Sequence, residues 1–264
     1  MLWKVRMPSV EVLLHGQSLR TDSGAVGFCS TLLIRGQKLT VVDTGHVGRR
    51  QPLLAALEAA GLEPADIDVA VMTHAHWDHA QNFDLFDSAT TLIHEWELKY
   101  ARNPHPNDWA TPRWTSAMLD YLDNVEAVEE GYEIEPGVRI IHTPGHSPGS
   151  MGVLVETDEG TLAITGDAIH SAAVAVSRVA PLVFWSEADA RRSIDRVLES
   201  AEVIYPGHDR PFRMLKDGTP EFLVPQQLTL MGLDLEEPGV VVDPSPRVPW
   251  VMPGIEEQTV ARLG

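Results

Sequence analysis

The chain has 264 residues, 44% of them hydrophobic and 22% charged, proportions of an ordinary globular protein that exclude wholesale disorder and collagen-like repetition. Acidic side chains outnumber basic ones by 38 to 20, for a formal charge of −18. Such a surface repels phosphate backbones, and no Lys/Arg-rich stretch offsets it, so a nucleic-acid partner is not expected. The single cysteine, Cys29, excludes an intrachain disulfide and any cysteine-rich metal site. Glu11, His15 and Gln17 interrupt the early apolar residues, so neither a signal peptide nor a membrane span is expected, and the reading is of a cytoplasmic protein with no membrane partner.

The first legible elements are apolar runs at Ser30–Ile34 and Leu39–Val42, flanking the turn Arg35-Gly36-Gln37-Lys38 as in a hairpin. After Asp43-Thr44-Gly45 a helix is expected, with Pro52 in its first turn, Leu53, Leu54 and Leu57 along one face, and Gly61 as its stop. Val69–Thr73 is a short continuous apolar run, the pattern of a strand buried on both faces. Gly137–Ile141 reads as another strand, and Met151–Glu156 with Thr161–Thr165 as a hairpin around Asp158-Glu159-Gly160. Ser186 caps a late helix, with Asp189 three residues on and Ile194, Val197 and Leu198 facing the core. Val203–Tyr205 is the last clear strand. Residues 1–220 thus read as one domain alternating strands with helices. Residues 221–264 read as a proline-interrupted tail, with Val240–Val242 its one expected strand, packed on the domain or on a partner subunit of a homodimer.

The run Thr73-His74-Ala75-His76-Trp77-Asp78-His79 follows the Val69–Thr73 strand directly. Three imidazoles and a carboxylate within six positions suit zinc, iron or manganese, and open α/β layers bind ligands at the carboxyl ends of their strands. Three further loops repeat the arrangement: His146 follows Thr143-Pro144-Gly145, Asp167 follows Thr165-Gly166, and His208 follows Pro206-Gly207. In each, a glycine lets the backbone turn sharply and aim the next side chain at the strand end.

These residues resemble the HxHxDH signature and the remaining ligand loops of the metallo-β-lactamase superfamily, over roughly residues 10 to 215. The resemblance implies a four-layer αβ/βα sandwich. It also implies two metal ions: His74, His76 and His146 on one, Asp78, His79 and His208 on the other, and Asp167 bridging. Zinc is the expected ion, with iron or manganese as alternatives. The family's true β-lactamases carry a cysteine ligand, whereas Cys29 is expected to lie far from every ligand loop. The flavodiiron branch has glutamate where this chain has His76. Gaps of 67 positions from His79 to His146, 21 to Asp167 and 41 to His208 resemble the lactonase branch, and glyoxalase II-like thioesterases tend to a shorter first gap. Acyl-homoserine lactonases use a tyrosine to donate to the substrate carbonyl, but Ala168–Ala190 contains none.

The expected reaction is hydrolysis of a small lactone or ester by a hydroxide held between two metals. A thioesterase, a phosphoesterase and a mononuclear iron persulfide dioxygenase remain as alternatives on the same ligands. Asp78 is the expected proton handler, and Asp43 an acceptor for the N–H of a ligating histidine. His170 is the expected oxyanion donor in place of the missing tyrosine. Tyr100–Trp114, through Trp109 and Trp114, is read as a pocket wall for a small-molecule substrate, joined by Trp77 and Trp185, and His105 is read as solvated.

Overall fold

Thr31–Arg35, Leu39–Val42 and Val69–Met72 carry few polar side chains, so both of their faces must be covered. In this computed structural model, which describes residues 7–225, 228–231, 243, 245 and 248–263, alternate residues of these strands enter two separate cores. Leu32, Ile34, Val42, Val69 and Val71 point into one, where they meet Val138, Ile140, Val153, Val155 and Val203 of a second sheet. Leu33, Val41, Ala70 and Met72 point into the other, against Leu53, Leu57, Phe83, Phe86 and Leu119. A third cluster covers the far face of the second sheet, joining Ile141, Leu154, Ala163 and Ile204 to Val174, Ile194 and Val197. Helices, sheet, sheet, helices: the period of two along each strand produces the four layers.

In chain order the first half comprises β1 (Ser9–Leu14), β2 (Gln17–Thr21), β3 (Gly24–Phe28), β4 (Thr31–Arg35), β5 (Leu39–Val42), α1 (Arg50–Ala59), β6 (Val69–Met72), α2 (Trp77–Ala80), β7 (Thr90–His94), α3 (Glu95–Arg102), α4 (Arg113–Tyr121) and β8 (Val125–Val128). Six of these strands form a sheet in the order β1-β4-β5-β6-β7-β8, parallel from β5 onward. The second half comprises β9 (Glu133–Glu135), β10 (Val138–His142), β11 (Met151–Thr157), β12 (Gly160–Ile164), α5 (Ala172–Ser177), β13 (Leu182–Val183), α6 (Glu187–Ser200), β14 (Val203–Tyr205), β15 (Phe212–Met214) and β16 (Pro220–Phe222). Its seven-stranded sheet runs β16-β15-β14-β12-β11-β10-β9. A last strand, β17 (Trp250–Val251), pairs in parallel with β13, and β2 and β3 form a separate hairpin.

Several expected boundaries move by a residue. The Val69–Thr73 strand stops at Met72 because the Thr73 N–H is taken by an Asp43 carboxylate oxygen at 2.9 Å instead of a neighbouring strand. Ser186 caps α6 as expected, its hydroxyl accepting from the Asp189 N–H at 3.2 Å. Val203–Tyr205 is not the last strand, since β15, β16 and β17 follow, and Pro220 sits in the edge strand β16, where its missing N–H costs no ladder bond. Val240–Val242 lies outside the described residues. Among the described residues, no helix is long and apolar enough to cross a membrane.

Candidate metal centre

The site starts from the adjacent ends of β5 and β6. Asp43 closes β5 with a left-handed backbone (φ 54°), which turns its carboxylate toward β6. One oxygen accepts from the Thr73 N–H at 2.9 Å, and the other faces the Thr73 hydroxyl and His79 Nδ1, each at 2.7 Å. The carboxylate anticipated as support for a ligating histidine thus holds His79 and pins the start of the histidine loop as well.

Three further rings are oriented in a similar way. A carbonyl oxygen can only accept, so the ring nitrogen facing it carries the proton. His146 Nδ1 lies 2.9 Å from the Leu182 carbonyl and His208 Nδ1 lies 3.0 Å from the Phe28 carbonyl. His74 Nδ1 lies 3.0 Å from the Thr73 hydroxyl, whose proton already goes to Asp43. The Nε2 atoms of His74, His79, His146 and His208 are therefore turned inward, that of His146 meeting His76 Nδ1 at 2.9 Å. His79 Nε2 and His208 Nε2 face one another at 3.3 Å, acceptor against acceptor. His74 Nε2, His76 Nε2 and one Asp167 oxygen are buried with no hydrogen-bond partner. Orphaned acceptors converging in a buried space are costly, and a cation relieves them.

The electrostatics agree. Burial and the crowding of His79, His76 and His146 hold His74 well below the ordinary histidine value, and burial and His146 do the same to His76, leaving both as neutral ligand forms. Burial also works against charge on His79 and His208. It is outweighed at His79 by Cys29, Asp43, Asp167 and Asp78, and at His208 by Asp167 and Asp78, so both rings are raised. The pair therefore demands positive charge, yet protons on both Nε2 atoms would collide at the same 3.3 Å.

The structure brings all seven anticipated ligands together. The ligand atoms of His74, His76 and His146 lie within 4.8 Å of one another, and so do those of Asp78, His79 and His208. Asp167 touches both groups, with oxygens 3.2 Å from His208 Nε2 and 3.5 Å from His146 Nε2. The glycines preceding them work in two ways. Gly145 and Gly166 have positive φ (136° and 49°), whereas Gly207 is needed for space, because a Cβ there would overlap an Asp167 oxygen. His170 is buried, stacks on His208 at 4.4 Å between ring centroids, and lines the cavity beside the cluster.

Four sequence expectations are corrected. Cys29 is not remote: its sulfur lies within 4.8 Å of His79 and Asp43 ligand atoms, because β3 leads into β4 beneath the β5 end. His105 is buried, not solvated, with Nε2 3.4 Å from a Glu257 oxygen. Trp185 packs with Tyr100 and Leu263 on the other side of Phe184, and Trp114, half exposed on α4, also stands outside the cavity. The cavity of about 470 Å³ is lined instead by Trp77, Trp109, Phe184 and Trp250, and by the β2–β3 hairpin.

Sequence reasoning missed Glu97. This carboxyl is fully buried and accepts from the Ala75 N–H (2.9 Å), the Gly149 N–H (2.9 Å) and the Ser147 hydroxyl (2.7 Å), bridging the loops that carry His74, His76 and His146. Burial raises it to about 7 against those three donors. Its one signal, a glutamate in the first turn of an amphipathic helix, is that of an ordinary surface residue.

Comparison with known proteins agrees with this geometry. The profile of the metallo-beta-lactamase superfamily matches residues 24–208. Metallo-beta-lactamase domain-containing protein 1 of Xenopus laevis is 34% identical over 216 residues, covering 80% of this chain and 83% of that one. An N-acyl homoserine lactonase of a Bacillus species is 29% identical over 157 residues, 58% of this chain and 60% of that one. Among solved structures, the dizinc quorum-quenching lactonase AidC superposes with a TM-score of 0.58 at 18% identity, covering 78% of this chain and 82% of that one. With its intact cluster of histidines and aspartates and its matching sandwich, the chain belongs to the metallo-beta-lactamase superfamily and is a metal-dependent hydrolase.

Proposed function

We propose that the protein is a dinuclear zinc hydrolase that opens a lactone or cleaves a small ester. The observation that carries this reading is the pair of ligand triads, His74/His76/His146 and Asp78/His79/His208, with Asp167 between them. Imidazole and carboxylate donors without a thiolate suit zinc in a catalytic role, and the AidC and Bacillus relatives are named as dizinc and lactone-cleaving proteins. Two bound ions would polarise a carbonyl and supply a water of lowered pKa.

The chain's own residues do the rest. Asp78, at the cavity wall with one oxygen 3.4 Å from His208 Nε2, takes up the proton released on attack and returns it to the leaving alkoxide. His170 donates a ring N–H to the carbonyl oxygen as charge develops there. The anchored Nδ1 atoms of His74, His79, His146 and His208 prevent the rings from turning during turnover, and Trp77, Phe184 and Trp109 exclude bulk water from the apolar side. The single buried thiol and the lack of disulfides suit a reducing, cytoplasmic setting.

A hydrolysis screen across lactones, aryl esters, thioesters and phosphodiesters, run with elemental analysis, tests the reading. Two zinc ions per chain with lactone or aryl-ester turnover are expected. Turnover confined to a thioester or phosphodiester, or one iron per chain with oxygen consumption, overturns it. His170→Ala is expected to lower turnover with metal content intact.

A further inference from the structure

A ring that lines the cavity comes from outside the superfamily's matched region. We infer that Trp250 is a specificity-determining residue, one wall of a subsite for an uncharged, extended apolar substituent of the substrate. For its turnover arm this rests on the hydrolase reading above.

The backbone holds Trp250 in place. The Trp250 N–H donates to the Pro181 carbonyl and the Met252 N–H to the Val183 carbonyl, both at 2.9 Å, so β17 extends β13 by one strand. The turn that follows is fastened to both neighbouring segments. Asn107 Nδ2 donates to the Pro253 carbonyl at 2.7 Å, Gln258 Nε2 donates to the Phe184 carbonyl at 3.2 Å, and Met252 is buried between them. Trp250 is thereby wedged between two rings from distant parts of the chain, with centroids 5.0 Å from Phe184 and 6.0 Å from Trp109, which are themselves 5.5 Å apart.

This triangle leads straight to the chemistry. Phe184 packs edge-on against His76 at 4.7 Å and against His146 at 5.5 Å, while Trp109, 54% exposed, stands at the opening. The cavity's charged side chains, Arg20, Asp22, Asp78 and Asp167, come from the hairpin and the metal loops. The side formed by Trp109, Phe184, Trp250 and Leu182 carries none. Rigid rings around an uncharged channel favour an alkyl or aryl group over a polar one. Trp109, Leu182 and Phe184 fall within residues 24–208, which match the superfamily, and Trp250 reaches the same wall from beyond them.

The test uses the zinc-loaded full chain and p-nitrophenyl esters from acetyl to octanoyl. Trp250→Ala is expected to raise KM for the octanoyl ester about tenfold, to leave the acetyl ester within about twofold, and to leave kcat unchanged. Trp250→Phe should recover most of the loss, and Trp114→Ala, outside the cavity, should match the wild type. Calorimetric binding of octanoate against acetate gives a readout that needs no turnover. If no ester is cleaved but octanoate is preferred and Trp250→Ala abolishes the preference, the hydrolase reading fails and the subsite stands. If Trp250→Ala does not fold, quenching of tryptophan emission by 8-bromooctanoate is compared between wild type and Trp250→Phe, and the wild type should lose the larger share. An unchanged octanoyl-to-acetyl ratio in Trp250→Ala, or equal quenching in the second comparison, overturns the inference.

Discussion

The histidine cluster and the aromatic wall touch at Phe184, yet they are assembled in opposite ways. Most of the candidate ligands lie within about six residues of a strand's carboxyl end, with the outer nitrogens of four rings held by a carboxylate, a carbonyl or a hydroxyl. The wall is built from the loop before α4, the β13 segment and the returning β17, whose backbones are hydrogen-bonded but whose rings meet only by packing. Directional bonds fix the chemistry, and non-directional contacts fix what reaches it.

Breaking the cluster should have the largest effect. His146→Ala, or treatment with a strong chelator, is expected to lower kcat by about a thousandfold or more, measured beside metal content. Wild-type turnover in a metal-free preparation would separate the cluster from the chemistry altogether. Asp43→Asn should be milder. It leaves His79 Nδ1 without its carboxylate, so zinc affinity is expected to fall about 10–100-fold with little change in fold, as read by competition with a fluorescent chelator.

Glu97 sharpens the comparison from the structural side. Glu97→Ala strands the Ala75 and Gly149 N–H donors in the interior and is expected to cost about 3 kcal/mol in denaturant unfolding. Glu97→Gln, which retains an acceptor, should cost less. The smallest effect belongs to His94, buried and stacked on His142 with centroids 3.8 Å apart. Burial and His142 pull it down to about 3, below its value in the unfolded chain, so the unfolded state takes up protons first. Its contribution is present in full above the unfolded value of about 6.5 and is lost as pH falls toward 3. In chelator-treated protein, the melting temperature of His94→Asn should fall less steeply than wild type across that window.

The sequence was legible where a local pattern answers to a local cause. Val69–Met72 must be apolar because both of its faces are covered, and the histidine loop must be compact because its rings converge within a few ångströms. The 67-position gap between His79 and His146 left β7, α3 and α4 unread, because Thr90–His94 mixes polar and apolar side chains and Glu97 looks like any exposed helix residue. Trp185 and Trp114 were misplaced for a related reason: a tryptophan's chemistry does not reveal which side of Phe184 it will occupy. Cys29 came close to His79 through tertiary folding that no spacing records.

Asp43 serves two masters, the start of the β6 loop and the imidazole of His79. Any loosening between β5 and β6 therefore tilts a ligand before it exposes the core. On gradual heating, the bound metal should escape into solution ahead of cooperative melting, so the ion would act as an early gauge of wear in the sheet beneath it.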